Sequence, residues 1–147
     1  MKRSKRLFPV VEKAAKETEA ELIKMATANT AWVVDKESLD DLYRYKAEYL
    51  DRFRSGDASV MSAQKVLDLR SFLVQLDQAI EAQTQQVKVR YTALSHQRGL
   101  WHQATSKQQA LQSLVGRYQD EEFKQESRQE QLDNDEHNTS KWVRRQR

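Results

Sequence analysis

The sequence of 147 residues contains no cysteine, one proline and three glycines. The absence of cysteine excludes disulfides and thiolate metal ligands, and it fits a reducing compartment such as the cytoplasm. So few prolines and glycines leave too few turn residues for a fold of many strands. There is no apolar run of about 18 residues that would span a membrane, and the apolar stretch at 7–11 is too short for a signal-peptide core.

The hydrophobic share of 38% and the mean hydropathy of −0.91 are low for a compact globule, whereas a thin two-helix seam needs less apolar surface. The net charge is +3, but the body of the chain carries 17 basic and 22 acidic residues. This distribution weakens a nucleic-acid-binding interpretation, which requires a basic stripe along one face. The excess positive charge lies at the two ends, in Lys2, Arg3, Lys5 and Arg6 and in Lys141, Arg144, Arg145 and Arg147.

A heptad pattern between Val66 and Val115 predicts one long helix that packs along a narrow seam. Gly99 and Gly116 each cost about 1 kcal/mol relative to alanine inside a helix, so we expect the second half of this helix to be softer. The first row of the pattern contains Val66, Leu73, Ile80, Val87, Leu94, Trp101 and Val115, with a polar exception at Gln108. The second row contains Leu69, Leu76, Ala104, Leu111 and Tyr118.

A second heptad stripe spans roughly Pro9 to Arg54 and predicts a helix about 70 Å long. Pro9 suits a first helical turn, where its missing N–H is not needed. The alternating spacings of four and three place in this stripe Val11, Ala15, Thr18, Leu22, Met25, Asn29, Trp32, Lys36, Leu39, Tyr43, Lys46, Leu50 and Phe53.

Residues 54–59 form the main break between the two helical patterns. Gly56 is suited to end the first helix, and Asp57, Ser59 or Ser62 to cap the second. Two heptad helices joined by one short turn predict an all-α fold, a long two-helix antiparallel coiled-coil hairpin. We expect one elongated domain over 1–147, with helix 1 at 9–54, a turn at 55–65, helix 2 at 63–136 and a flexible basic tail at 137–147.

Placing Phe53 opposite Val66 aligns the two seams. This register sets Lys36 against Gln83 and Asn29 against Arg90, so polar layers meet and slipped registers are penalised. In this register the part of helix 2 after about Leu111 has no partner within the hairpin.

The sequence offers no catalytic constellation. His96 and His102 lie six residues apart and His137 is remote, so the default for them is a solvated helix position and no metal site is predicted. There is no glycine-rich phosphate loop, and a two-helix hairpin has no concave site of its own. We therefore predict a protein that is not an enzyme and binds no cofactor.

Several apolar residues lie outside the predicted seams, near the turn. They are Leu42, Tyr45 and Tyr49 in helix 1, and Phe72 and Ala79, beside the seam residue Leu76, in helix 2. They either thicken the seam or form an exposed patch that docks a partner protein. The basic ends likewise are either solvated or dock to an acidic surface, such as the pore of a ring-shaped partner or a membrane.

These stretches carry a family resemblance. The segments 42–49 and 72–80, the turn at Gly56, the segment 98–101 and the Gln/Glu-rich region up to Glu136 resemble FliJ, the soluble component of the bacterial flagellar type III export apparatus. Length and heptad layout agree with that family over nearly the whole chain.

The resemblance implies an antiparallel coiled coil that acts as the stalk of the export ATPase hexamer, binds the cytoplasmic domain of the export gate and handles emptied export chaperones. It implies a monomer when free, in the cytoplasm and at the inner membrane through its partners. The resemblance implies that the gate is contacted by Leu42, Tyr45, Tyr49, Phe72, Leu76 and Ala79. It implies that the ATPase is contacted by the joined helix ends, at Lys2, Arg3, Lys5, Arg6, Val115 and Tyr118.

Two other functions remain open from the residues alone. One is a generic coiled-coil adaptor or scaffold whose seam forms between chains. The other is a nucleic-acid or membrane binder that uses the basic ends, for which binding would fall steeply with salt.

Overall fold

The computed structural model describes residues 1–55 and 62–146, which form two helices, α1 (Arg3–Ser55) and α2 (Ala63–Gln146). The described residues contain no strand, and the two helices pack against each other as a helical hairpin. The prediction of an all-α hairpin is therefore confirmed, while its turn at Gly56 lies outside the described residues. Over these two ranges, no helix is long and apolar enough to cross a membrane.

Ser62 caps the N-terminus of α2. Its hydroxyl oxygen accepts a hydrogen bond from the Lys65 N–H at 3.3 Å, and its carbonyl accepts the first helical bond from the Val66 N–H at 3.2 Å. A serine side chain that satisfies an otherwise unpaired N–H of the first turn is the usual N-cap arrangement. Ser62 is thus the cap among the three predicted candidates, and Asp57 and Ser59 lie outside the described residues.

Both helices extend beyond the bounds predicted from the sequence. α1 begins at Arg3 rather than Pro9, so Pro9 lies inside the helix and leaves the Lys5 carbonyl without its usual N–H donor. Contacts of Lys2 and Ser4 with Glu126 and Glu122 hold the turn that precedes it. α2 remains helical through 137–146, the segment predicted as a tail. The chain contains no glycine or proline after Gly116 that would end the helix.

The described chain divides into two packing units. Unit 1 comprises Met1–Ala20 and His102–Arg147, and unit 2 comprises Glu21–Trp101. The single elongated domain expected from the sequence stays a prediction.

In unit 2, α2 presents the predicted heptad face to α1. The side chains of Leu69, Leu76, Ile80 and Leu94 are buried, and Leu94 is completely inaccessible to solvent. Contacts between Lys46 and Asp77, 31 residues apart, and between Glu21 and Gln97, 76 residues apart, show that the two segments run antiparallel.

The face that α1 presents in unit 2 differs from the prediction in one of its two rows. The row of Met25, Trp32, Leu39, Lys46 and Phe53 is at least half-buried, as predicted. The other row is shifted by one residue. It contains Glu21, Ala28, Asp35, Leu42 and Tyr49, all half-buried, while the predicted Leu22, Asn29, Lys36 and Tyr43 are exposed and Leu50 is half-buried.

Hydrogen bonding explains this shift. Asp35 accepts a bond from the Gln83 amide at its backbone carbonyl (2.8 Å) and one from the Arg90 Nε at its carboxylate (3.0 Å). The side chain of Gln97 donates to the backbone carbonyl of Glu21 at 3.4 Å and also to its carboxylate. The side chains of Gln83, Arg90 and Gln97 in α2 donate hydrogen bonds. The observed rotation of α1 brings Asp35 and Glu21 to these donors, so that polar groups in the seam are not left unpaired.

The predicted polar pairs Lys36–Gln83 and Asn29–Arg90 are therefore wrong. Asp35 pairs with both Gln83 and Arg90, whereas Lys36 in this row would have left the Arg90 guanidinium without a carboxylate. Instead, the Lys36 ammonium lies 5.0 Å from the centre of the Trp32 ring.

In unit 1, α1 covers more of α2 than predicted. Ala14 and Val115 are buried between the segments, and Lys2 and Ser4 contact Glu126 and Glu122. The expectation that α2 lacks a partner after about Leu111 is thus wrong, because α1 starts six residues earlier than predicted. Side chains at 127–146 are exposed throughout.

Candidate partner-binding sites

An aromatic cluster lies at the helix pair of unit 2. Tyr45 and Tyr49 are four residues apart on α1 and therefore share one face. The Phe72 ring of α2 meets Tyr45 edge-on, with centroids 5.9 Å apart and an interplanar angle of 74°, and meets Tyr49 at 4.4 Å and 38°. These are favourable geometries for aromatic pairs, and we call Tyr45, Tyr49 and Phe72 the aromatic patch.

The six residues predicted for the gate contact divide into two groups by burial. Leu76 is 6% exposed, and Leu42 and Tyr49 belong to the half-buried α1 row. Tyr45 is 49% exposed, Ala79 is exposed and Phe72 is half-buried. Leu76, Leu42 and Tyr49 thus contribute to the helix contact, whereas the exposed surface of this set centres on Tyr45, Phe72 and Ala79.

A shallow groove of about 350 Å³ adjoins the aromatic patch through Tyr49. Phe53 and Leu69 supply apolar walls, and charged side chains contribute the remainder of the lining. The lining residues are Tyr49, Arg52, Phe53, Lys65, Asp68 and Leu69. This groove was not predicted from the sequence, because the heptad pattern assigns both Phe53 and Leu69 to the closed seam.

A second cluster joins the N-terminus of α1 to α2 in unit 1, and we call it the terminal clasp. It contains Lys2, Arg3, Ser4, Tyr118, Glu122 and Glu126. Lys2 forms an ion pair with Glu126, and the Arg3 guanidinium lies 5.6 Å from the centre of the Tyr118 ring. Ser4 is almost completely buried, and Glu122 accepts its N–H at 3.1 Å and its hydroxyl at 2.7 Å.

Glu122 acts as a cap for α1 from the other helix. The first turn of α1 has no acidic residue of its own, so its unpaired N–H groups and positive helix end lack a local partner. The hydrogen bond from the Ser4 hydroxyl lowers the pKa of the Glu122 carboxyl, an effect opposed by desolvation. The hydrogen bond to Glu126 raises the pKa of the Lys2 ammonium.

The clasp unites three of the six residues predicted for the ATPase contact. Lys2, Arg3 and Tyr118 are clasp members, Val115 is buried, and Lys5 and Arg6 are exposed. The sequence analysis missed Ser4, Glu122 and Glu126. The available signal was the i, i+4 pair of glutamates in α2, together with the lack of acids in the first turn of α1.

Neither cluster has the composition of a catalytic or metal centre. Within residues 1–55 and 62–146, no group of three or more His, Asp or Glu side chains is placed to hold a metal ion. The aromatic patch presents aromatic and apolar side chains, and the terminal clasp presents charged ones.

A family model described as "Flagellar FliJ protein" matches residues 3–147. No curated protein and no solved structure is significantly similar to the chain.

Proposed function

The chain belongs to the family of flagellar FliJ proteins, which are structural components of the flagellar export apparatus, and we propose that it forms the stalk of the export ATPase ring. In this role it couples the ring to the export gate and handles emptied export chaperones. The match over residues 3–147, nearly the whole chain, carries the proposal. The two clusters support it by offering separate surfaces for the two large partners.

The aromatic patch and Ala79 form the proposed contact for the cytoplasmic domain of the gate. Tyr45 leaves about half of its surface in solvent while its ring is held by Phe72. A tyrosine fixed in this way loses little side-chain entropy when a partner covers it, and such residues are frequent binding hot spots. The adjoining groove between Phe53 and Leu69 offers a place for an apolar side chain of the gate.

Unit 1 forms the proposed contact for the ATPase ring. The clasp aligns the start of α1 with α2, and Lys5 and Arg6 remain exposed beside it. Exposed cations on an ordered helix end suit an acidic pore and accelerate association at low salt.

The gate contact is tested with Tyr45→Ala combined with Phe72→Ala. We expect binding of the purified gate domain to fall by at least tenfold and motility to be lost, because hot-spot truncations cost about 2 kcal/mol or more. The matched control is Tyr91→Ala, since Tyr91 is also 49% exposed and contacts one aromatic ring, that of Trp32, at 5.8 Å. Unchanged gate binding in the folded double variant would refute the gate contact.

The ring contact is tested with Lys5→Glu combined with Arg6→Glu. We expect weaker binding to the purified ATPase, with gate binding retained. Lys88→Glu combined with Arg98→Glu makes the same charge change at exposed positions of unit 2 and serves as the control. If both double variants bind the ATPase equally well, the basic end is not the ring contact.

A further inference from the structure

The last turns of α2 combine exposed aromatic surface with positive charge. Residues 137–146 are helical and exposed, and Trp142 is 62% exposed. The final seven residues of the sequence contain four bases and no acid, and the last acid before them is Glu136. Neither the aromatic patch nor the terminal clasp includes any of these residues.

The last turns of α2 carry three apolar side chains on one side. At 3.6 residues per turn, Leu132, Trp142 and Val143 fall within a sector of about 100°, which also contains the polar residues Asp135, Thr139 and Gln146. The three apolar members of this sector are all exposed. The described bases Lys141, Arg144 and Arg145 lie outside the sector, and Arg145 borders it next to Trp142.

We propose that this end of α2, residues 139–146, binds directly to the surface of an anionic lipid bilayer. Tryptophan is favoured at the boundary between headgroups and acyl chains, where its ring is apolar and its N–H remains hydrated. Arginine and lysine beside it extend their charged groups to lipid phosphates, and clusters of four bases are typical of such contacts. The proposal goes beyond the stalk function, in which any membrane association runs through partner proteins.

The acidic segment before this end limits the contact to the last turns. Residues 120–136 contain eight acids and two bases. Glu136 precedes Trp142 by about 9 Å along the helix, comparable to the Debye length of about 8 Å at physiological salt. A helix lying flat would bring this negative charge to the lipid, so we infer a tilted, salt-sensitive contact through the end alone.

A second copy of the chain is a poorer occupant of this surface. Continuing the α2 heptads beyond Glu126 places Gln129, Glu136 and Thr139 at seam positions, with only Leu132 and Val143 as apolar members. A coiled coil with so polar a seam has little to bury. The clustered positive charge instead complements a phosphate surface.

The test is sedimentation of the full chain with vesicles of phosphatidylglycerol and phosphatidylcholine, compared with vesicles of phosphatidylcholine alone. We expect binding to the anionic vesicles only, decreasing as salt rises. Arg144→Gln combined with Arg145→Gln should lower the partition coefficient by about 25-fold, since each lost charge costs roughly a factor of five. Lys88→Gln combined with Arg98→Gln removes the same charge from exposed positions of unit 2 and leaves it within twofold.

Tryptophan fluorescence separates lipid insertion from simple charge attraction. We expect the emission of the wild type to shift to shorter wavelength with anionic vesicles, and this shift to disappear in Trp142→Phe. Equal binding to both vesicle types, equal effects of the two double variants, or a shift that persists in Trp142→Phe would each overturn the proposal. The proposal would also be overturned if the end of α2 bound DNA or the purified ATPase but no vesicles.

Discussion

Each packing unit has polar contacts between its two helices, and the position of these contacts differs between the units. In unit 2 the contacts lie within the seam, where Asp35 and Glu21 accept hydrogen bonds from Gln83, Arg90 and Gln97. In unit 1 the hydrogen bonds between the helices lie at the start of α1, where Glu122 accepts from Ser4, and an ion pair joins Glu17 to Lys107. Hydrogen bonding thus sets the rotation of α1 in unit 2, whereas in unit 1 it fixes where the helix begins.

The largest effect should come from the apolar core of unit 2. Leu94→Ala removes a completely buried side chain and should destabilise the protein by about 2–5 kcal/mol, through lost burial and the remaining cavity. Urea unfolding measures this change. Val89→Ala, at an exposed position five residues earlier, is the control and should stay within about 0.5 kcal/mol. Equal losses in the two variants would contradict the packing of unit 2.

The polar seam of unit 2 should give the next largest effect. Asp35→Ala leaves Arg90 without its carboxylate partner, and we expect a loss of about 1–2 kcal/mol, reduced by the partial exposure of Arg90. Lys36→Ala, at the adjacent exposed position, should cost less than about 0.5 kcal/mol. If Lys36→Ala destabilised the protein more than Asp35→Ala, the row predicted from the sequence would be correct and the observed row would be refuted.

Glycine replacements in α2 should stabilise both units. A Cβ added at Gly99 in unit 2 or Gly116 in unit 1 meets no atom within 4 Å. Each change to alanine should therefore raise the free energy of unfolding by about 1 kcal/mol, since alanine favours the helix. Thermal unfolding of the single variants measures the gain, and a loss at either position would show that the helix requires the glycine there.

The terminal clasp should have the smallest global effect. Glu122→Gln removes the charge that caps α1, so we expect faster amide exchange in the first turns of α1 and an unchanged global midpoint. Glu121→Gln, the exposed neighbour, is the control. A lower global midpoint in Glu122→Gln would show that the clasp supports the whole fold rather than its end.

The same clasp should respond to pH. Because the pKa of Glu122 is lowered in the folded protein, its contribution is fully present above the ordinary value of 4.5 and is lost as the pH falls through the lowered value. We expect amide exchange in the first turns of α1, corrected for its intrinsic pH dependence, to accelerate in that acidic range. The corrected rates of Glu122→Gln should change little over the same range.

Heptad spacing was sufficient to predict the hairpin and the buried face of α2, because α2 has only one continuous apolar face. α1 offers two rows one residue apart, and the more apolar one contains Leu22 and Tyr43. The structure buries the row of Glu21 and Asp35 instead. The deciding partners are donors 48 to 76 residues away, which a pattern local to α1 does not contain.

The candidate sites show the same limit. Tyr45 and Phe72 were identified because they are apolar residues outside the predicted seams. Leu42 and Tyr49 were grouped with them only because the α1 row had been misplaced. The Ser4–Glu122 contact joins residues 118 positions apart and has no signature in either segment alone.

The orientation of α1 decides which residues of unit 2 remain for a partner, and the absence of native cysteine allows a direct measurement. Single cysteines are introduced at the neighbouring pairs Ala28 and Asn29, and Leu42 and Tyr43, and their rates of reaction with a thiol reagent are compared. We expect protection at Ala28 and Leu42 and fast reaction at Asn29 and Tyr43, the last of which is 52% exposed. Fast reaction at Ala28 and Leu42 with protection at Asn29 and Tyr43 would contradict the observed seam.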